Sequence, residues 1–245
     1  MEVVLTIAGS DSSAGAGVQQ DMKTVTAMGH YCATVITAIT AQNTLGVQQV
    51  MPVPPEILRA QLVSVLSDMP VAAVKTGMIP NSDSAKVIVD VLRSVKCPVV
   101  CDPVMISTSG TPLMSDDCID LISKELFPLC TLVTPNIPEA ERLGLPQNAK
   151  NKYSVLLKGG HADGREMTDK LIMQNGLECL FTSPRIETKN LHGTGCTLSS
   201  AIAVGLAEGK DLTEAVRLGK QMIDRGIEGG KDLHIGKGNG PLWIV

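Results

Sequence analysis

Residues 3–29 read VVLTIAGSDSSAGAGVQQDMKTVTAMG, and the change of texture along that stretch decides the fold class. VVLTIA is a continuous apolar run, as expected of a strand buried on both faces. A loop of glycine, serine, alanine and aspartate follows. Val18, Met22, Val25 and Met28 then recur at helical spacing, and Gly29 suits the stop. Strand, small-residue loop and helix make one βα unit.

The unit repeats. CATVITAIT (32–40) is β-branched and reads as a strand. Pro54-Pro55-Glu56 opens a helix to about Asp68. AAVKTGM (72–78) and PVVCDPV (98–104) are strands, each followed by a helix, at 82–95 and 115–127. TLVTP (131–135) leads into a short helix at IPEAERL, and YSVLLKGG (153–160) is a further strand. KLIMQ (170–174) and LECLFTS (177–183) flank Asn175-Gly176 as a hairpin. Two helices finish the chain. One follows the glycine turn at 193–195. The other starts near Asp211 with Glu214 as capping partner and an apolar face of Leu212, Ala215, Val216, Gly219, Met222 and Ile223.

Alternating β and α predicts a mostly parallel sheet with helices on both faces, a three-layer α/β/α fold formed by one domain over 1–245. Ligands in such sheets bind beyond the carboxyl ends of the strands. Those ends are AGSDSSAGAG, TAQNT, KTGM, DPVM, TPNIPEA and LKGGH. Six polar or glycine-rich junctions at one sheet edge predict a site.

Composition narrows the function. The 245 residues carry a formal net charge of −4 with no basic cluster, which argues against a nucleic-acid partner. No apolar run reaches the ~20 residues of a membrane span. MEVVLTIAGSDSS has no basic flank and too short an apolar run for a secretion signal. The 7 cysteines are dispersed without a C-x-x-C, which suggests free thiols and a cytoplasmic setting. Aromatics are 2%, so a bound flat ring must lie against aliphatic and methionine side chains.

Several residues could carry chemistry. AGSDSSAGAG fails both the G-x-G-x-x-G dinucleotide spacing and the phosphate-loop pattern, so it reads either as a simple turn or as part of the site. His192-Gly193-Thr194-Gly195-Cys196 opens a helix, where backbone amides and the helix dipole favour an anion. A thiol there is expected to ionise more easily than the free value of about 8.5, although a lone cysteine is also a common buried hydrophobe. Lys158 ends an apolar strand, either as a solvated terminus or in reach of a phosphate. Asp102 is a turn former or a carboxylate for a hard cation. Asn136 and Glu139 share a helix face, as an N-terminal cap or as an outer-shell Mg²⁺ pair. Together these are the parts of phosphoryl transfer, where positioning and charge stabilisation dominate.

TIAGSDSSAGAGVQQDMKT, ITAQNT, KTGM, DPVM, TPNIPEA, LKGGH and NLHGTGCTLS resemble, in order, the motifs of the hydroxymethylpyrimidine/phosphomethylpyrimidine kinases of thiamine biosynthesis, within the ribokinase-like superfamily. The resemblance runs from residue 3 to the closing GKGNGPLW. It implies a ribokinase-like fold and a kinase that uses ATP and Mg²⁺ to make the pyrimidine monophosphate and then the diphosphate. It implies that Asp21 and Gln42 hydrogen-bond the aminopyrimidine and that Gly9, Met78 and Val104 wall its ring. Gly193, Thr194, Gly195 and Cys196 would form the anion hole. The Cys196 thiolate would assist deprotonation, with His192 the weaker candidate, so that Cys196→Ala should cut turnover. Lys158 and Asn136 would meet the nucleotide, and Asp102, Asn136 and Glu139 would organise Mg²⁺. Family members are commonly dimers, so a homodimer is expected.

Three departures stand out. Ala14 occupies a common glycine position, Leu191 a frequent threonine position, and NAK runs straight into NKYSV where the family has a further helix. Losing a covering helix would bare an apolar sheet face, so residues missing or disordered near 148–152 are expected instead. The rival readings are a pyridoxine or pyridoxal kinase of the same superfamily and a non-catalytic pyrimidine- or nucleotide-binding regulator. The failed glycine spacing disfavours an NAD-dependent oxidoreductase.

Overall fold

The computed structural model describes residues 1–107, 110–145, 152–159 and 166–244. Strands are β1 (Val3–Asp11), β2 (Tyr31–Asn43), β3 (Gly46–Pro52), β4 (Val71–Thr76), β5 (Val99–Cys101), β6 (Leu132–Val133), β7 (Ser154–Leu157), β8 (Glu166–Ile172) and β9 (Glu178–Pro184). Helices are α1 (Gly17–Ala27), α2 (Pro55–Asp68), α3 (Ser82–Leu92), α4 (Asp116–Leu121), α5 (Ile137–Arg142), α6 (Thr194–Ala207) and α7 (Leu212–Gly230).

The strands form one sheet in the order β3-β2-β1-β4-β5-β6-β7-β8-β9. The six from β2 to β7 run parallel, β3 and β8 run against them at the two sides, and β9 pairs antiparallel with β8 at the edge. Apolar side chains fill both faces. Leu5, Ile7, Val74, Leu58, Ile88 and Phe127 pack on the side of α2, α3 and α4. Val4, Val100, Leu156, Leu198, Ile202 and Val216 pack on the side of α6 and α7. The predicted three-layer arrangement is present, with the six parallel strands ending at one edge.

Three elements differ from the reading of the sequence. β3 lies in a stretch, 46–52, to which the sequence assigned no element. Its residues are mostly exposed, so GVQQVMP carries little alternation to read. The helix expected over 115–127 is α only to Leu121. It continues as a π turn over Ile122–Leu126 and a 3₁₀ turn over Phe127–Leu129, where Pro128 has no amide to donate. The first hairpin strand begins earlier, at Glu166, and the second runs one residue further, to Pro184, around the expected Asn175-Gly176 turn. The gap expected near 148–152 falls, apart from Lys152, outside the described residues, as do Gly160 and His161 of LKGGH.

Candidate active site

Two loops close over the carboxyl end of β1. The first is residues 9–17, the second residues 190–195. They touch backbone to backbone: a Cβ on Gly193 would lie 2.0 Å from the Gly15 carbonyl oxygen. Gly193 also has φ +91, a left-handed turn that glycine adopts without strain and that starts α6. The small residues of both loops thus permit the approach, and AGSDSSAGAG is part of the site rather than a simple turn.

Asp11 organises the first loop. Its carboxylate accepts hydrogen bonds from the amides of Ser13, Gly15 and Ala16 at 2.8, 3.1 and 2.9 Å. It also meets His192 Nε2 at 2.9 Å from the second loop. Burial by itself would raise its pKa, but the bonds from His192 and Ser13 outweigh it and hold the carboxyl below the usual aspartate value. A carboxylate held ionised takes a proton donor, so His192 presents Nε2–H to it. The Gln42 amide nitrogen lies 3.2 Å from the same ring nitrogen, whose proton is already given to Asp11.

At the start of α6, Thr194 donates its amide to Leu191 O at 3.3 Å and Thr197 donates to Gly193 O at 2.9 Å. The amides of Gly195 and Cys196 donate to no other group among the described residues. The Gly193 amide likewise has no acceptor among the described residues, so of the four expected donors only that of Thr194 is taken. The expectation for the Cys196 thiol is overturned. Burial pushes its pKa up to about 11, only partly opposed by the Lys75 ammonium, and the helix terminus does not reverse this.

Facing that turn, Lys158 Nζ donates to Asp102 Oδ1 at 2.7 Å, and Thr134 Oγ1 donates to the same oxygen at 3.0 Å. A Cβ on Gly195 would lie 3.1 Å from Asp102 Oδ2 and 3.6 Å from Lys158 Nζ, so cation, carboxylate and open amides form one cluster. Burial would lower the lysine's pKa, but Asp102 and Glu139 hold it above the ordinary value, and Lys158 is charged. Asn136 and Glu139 form a reciprocal capping box at α5, with both bonds at 2.8 Å. Burial raises the Glu139 pKa despite Lys158. Among the described residues no three acidic, histidine or cysteine side chains converge as a ready metal cage. The oxygen donors Asp102 and Glu139 beside Lys158 fit a Mg²⁺ ion that keeps its waters and is held chiefly by phosphates, with Asn136 committed to the helix cap.

Of the residues expected to wall the ring, Gly9 and Met78 are neighbours: Met78 Sδ would lie 2.9 Å from a Cβ on Gly9. Val104 is half-buried and donates its amide to Asp102 O at 2.9 Å. Asp21 does not belong to the site. It is fully buried behind the sheet edge, with Lys75 Nζ at 2.7 and 2.9 Å, Thr6 Oγ1 at 2.5 Å and Ser200 Oγ at 2.9 Å on its two oxygens. Every strong acceptor direction is taken, so it has none to offer a pyrimidine. Asp11, Thr134 and Lys75 were missed. A lone lysine inside AAVKTGM was the available signal, because a charge in an apolar strand needs a buried counter-charge.

The family model described as phosphomethylpyrimidine kinase matches residues 11–243. The hydroxymethylpyrimidine/phosphomethylpyrimidine kinase of Rhizobium meliloti is 44% identical over 98% of this chain and 96% of its own. That alignment spans 255 positions, more than the 245 residues of this chain, so the relative carries residues that this chain lacks. A crystal structure of phosphomethylpyrimidine kinase from Clostridium difficile is 40% identical, covers 93% of this chain and all of its own, and superposes with a TM-score of 0.79. An ADP complex of Bacillus subtilis pyridoxal kinase is 30% identical, with a TM-score of 0.89 over 100% of this chain and 97% of its own.

Proposed function

The chain belongs to the phosphomethylpyrimidine kinase family, and on that premise we propose that it phosphorylates 4-amino-5-hydroxymethyl-2-methylpyrimidine and then the monophosphate, with ATP as donor. The fold is ribokinase-like and the activity is phosphotransfer. One observation carries the assignment of roles: open amides at Gly195 and Cys196 lie beside the Lys158–Asp102 pair, at the sheet edge where Asp11 meets His192.

Gly195 and Cys196 donate to the oxygens of the transferring phosphoryl group, where charge builds up. Lys158 contacts the same phosphates and is kept in line by Asp102. Asp102 and Glu139 would hold, through its waters, a Mg²⁺ ion brought in by the nucleotide phosphates, and that ion would supply charge neutralisation. Gly9, Met78 and Val104 flank the pyrimidine ring, and Gln42 hydrogen-bonds its edge. In the second transfer a phosphate oxygen of the monophosphate attacks; in the first, the substrate hydroxyl bonds to the γ-phosphorus of ATP as the bond to ADP breaks, and it loses its proton. His192 accepts that proton, and Asp11 stabilises the resulting imidazolium through Nε2. This reverses the order expected from the sequence, since a thiol with a pKa of about 11 is a poor proton acceptor near neutrality. The setting is cytoplasmic and the assembly a homodimer, as the resemblance implies. No described helix is long and apolar enough to cross a membrane.

Pyridoxal phosphorylation is the second reading. It has the superposition on Bacillus subtilis pyridoxal kinase in its favour. Release of ADP with hydroxymethylpyrimidine, its monophosphate and pyridoxal, compared side by side with Mg²⁺, separates the two. Turnover of both pyrimidines with pyridoxal slow supports the pyrimidine reading. A preference for pyridoxal overturns it and keeps the transfer site.

A further inference from the structure

Two residues before His192, Asn190 joins three segments of the chain. It is 7% exposed. Its Nδ2 donates to Gly230 O at 2.7 Å and Leu233 O at 2.8 Å, which caps the end of α7 with a side chain from another part of the chain. Its own amide donates to Thr188 Oγ1 at 3.1 Å, and that hydroxyl donates to Lys231 O at 3.0 Å. On its other side lies the C-terminal segment. A Cβ on Gly240 would sit 2.1 Å from Asn190 Oδ1, so only glycine fits there. The Gly240 carbonyl in turn accepts the His192 amide at 3.1 Å.

The C-terminal segment goes on to the substrate side. Asn239 N donates to Thr44 O at 2.9 Å, and Gly238 N donates to Thr44 Oγ1 at 3.2 Å. Asn239, Thr44, Gln42 and His192 line one small cavity of about 10 Å³. Trp243 N donates to Gly226 O at 2.9 Å and returns the segment to α7. The backbone of His192 is thus fixed by a segment whose own place depends on the Asn190 carboxamide.

We propose that Asn190 is a positioning residue for phosphoryl transfer: by tying α7 and the C-terminal segment to the loop before α6, it sets where His192 and Gly193 stand relative to Asp11 and Gln42. Its two donors both end on carbonyls of the α7 terminus. Replacing them by acceptors would push that terminus away without changing side-chain size. The inference rests on the reading of 192–196 as the transfer site.

The test compares Asn190→Asp, Gly240→Ala, their double variant and Ile235→Ala, an exposed position of the same segment. Each is assayed, well below its melting temperature, for kcat and for KM of ATP and of whichever alcohol the wild type turns over. Failure of the pyrimidine assignment then leaves this comparison intact. Displacing reacting groups by about 1 Å can cost 10²-fold. Asn190→Asp and Gly240→Ala are expected to lower kcat roughly 10- to 100-fold, with KM for ATP nearly unchanged. The double variant is expected to be little worse than either single, because both break one junction. Ile235→Ala should match the wild type. Wild-type kcat in folded Gly240→Ala or Asn190→Asp, or strictly multiplicative losses in the double variant, would overturn the proposal. Should Asn190→Asp fail to fold, Gly240→Ala alone decides.

Discussion

His192 Nε2 lies 2.9 Å from Asp11 Oδ2, although 181 residues separate them in the chain. The contact joins the loop after β1 to the turn that starts α6. It joins an imidazole backed by a carboxylate to the turn whose Gly195 and Cys196 amides are open. A positioned base typically contributes 10²- to 10⁴-fold. His192→Asn should therefore lower kcat by about 100-fold or more, and Asp11→Asn by at least about tenfold. KM for ATP should change little in His192→Asn. Steady-state kinetics at fixed pH checks this, and a kcat within about twofold of wild type for His192→Asn would remove the base from the account.

Cys196 gives a prediction of opposite kind. Its thiol is pushed up to about 11, so it stays protonated across the neutral range. The rate profile from pH 6 to about 10 should be the same in the wild type and Cys196→Ser, with turnover within about tenfold. Alkylation of Cys196 by iodoacetamide should be slow at pH 7.5 and rise towards pH 11, because the thiolate is the nucleophile. The linkage has a fixed sign. The folded pKa lies above the free value of about 8.5, so this group's contribution to stability is complete below that value and disappears as pH rises through about 11. Rapid alkylation at neutral pH would show a thiolate and restore the sequence-based expectation.

The Lys75–Asp21 pair is fully buried, with Thr6 and Ser200 completing the carboxylate's bonds. Removing one partner strands the other charge. Lys75→Met or Asp21→Leu alone should cost about 3–5 kcal/mol, whereas the double replacement should recover most of that loss. Urea unfolding of the four proteins measures the coupling. Additive losses would mean the two charges do not compensate one another.

Ala14 has φ +60, the only described residue other than glycine with a positive φ. A left-handed conformation costs an L-residue roughly 1–2 kcal/mol. Ala14→Gly removes that strain but gains freedom in the unfolded chain, for a net stabilisation of about 1 kcal/mol. Thermal melting checks the sign, and a lower Tm would mean the methyl group contributes packing that outweighs the strain.

The edge where the site forms was legible because buried parallel strands must end in polar, glycine-rich loops if a ligand binds there. VVLTIA, AAVKTGM and PVVCDPV announced both strands and loops. β3 was not legible, since an exposed edge strand such as GVQQVMP needs no apolar alternation. Asp21 misled because its place in a motif says nothing about which way α1 turns. It faces Lys75 in the core. Asp11 was overlooked because its role comes from three local amides and a histidine far along the chain, a juxtaposition made only by folding. Cys196 was read from the helix dipole alone, but desolvation is the larger influence there. Asn136 and Glu139 were read two ways, and the capping box is the one their bonds display.

The most direct test of the central claim is a ³¹P NMR time course of the wild-type protein with hydroxymethylpyrimidine, ATP and Mg²⁺. The account predicts a phosphomonoester resonance that rises first and then gives way to a diphosphate, with ADP formed in step. ADP and inorganic phosphate without any pyrimidine phosphate, while pyridoxal under the same conditions becomes its phosphate, would contradict it.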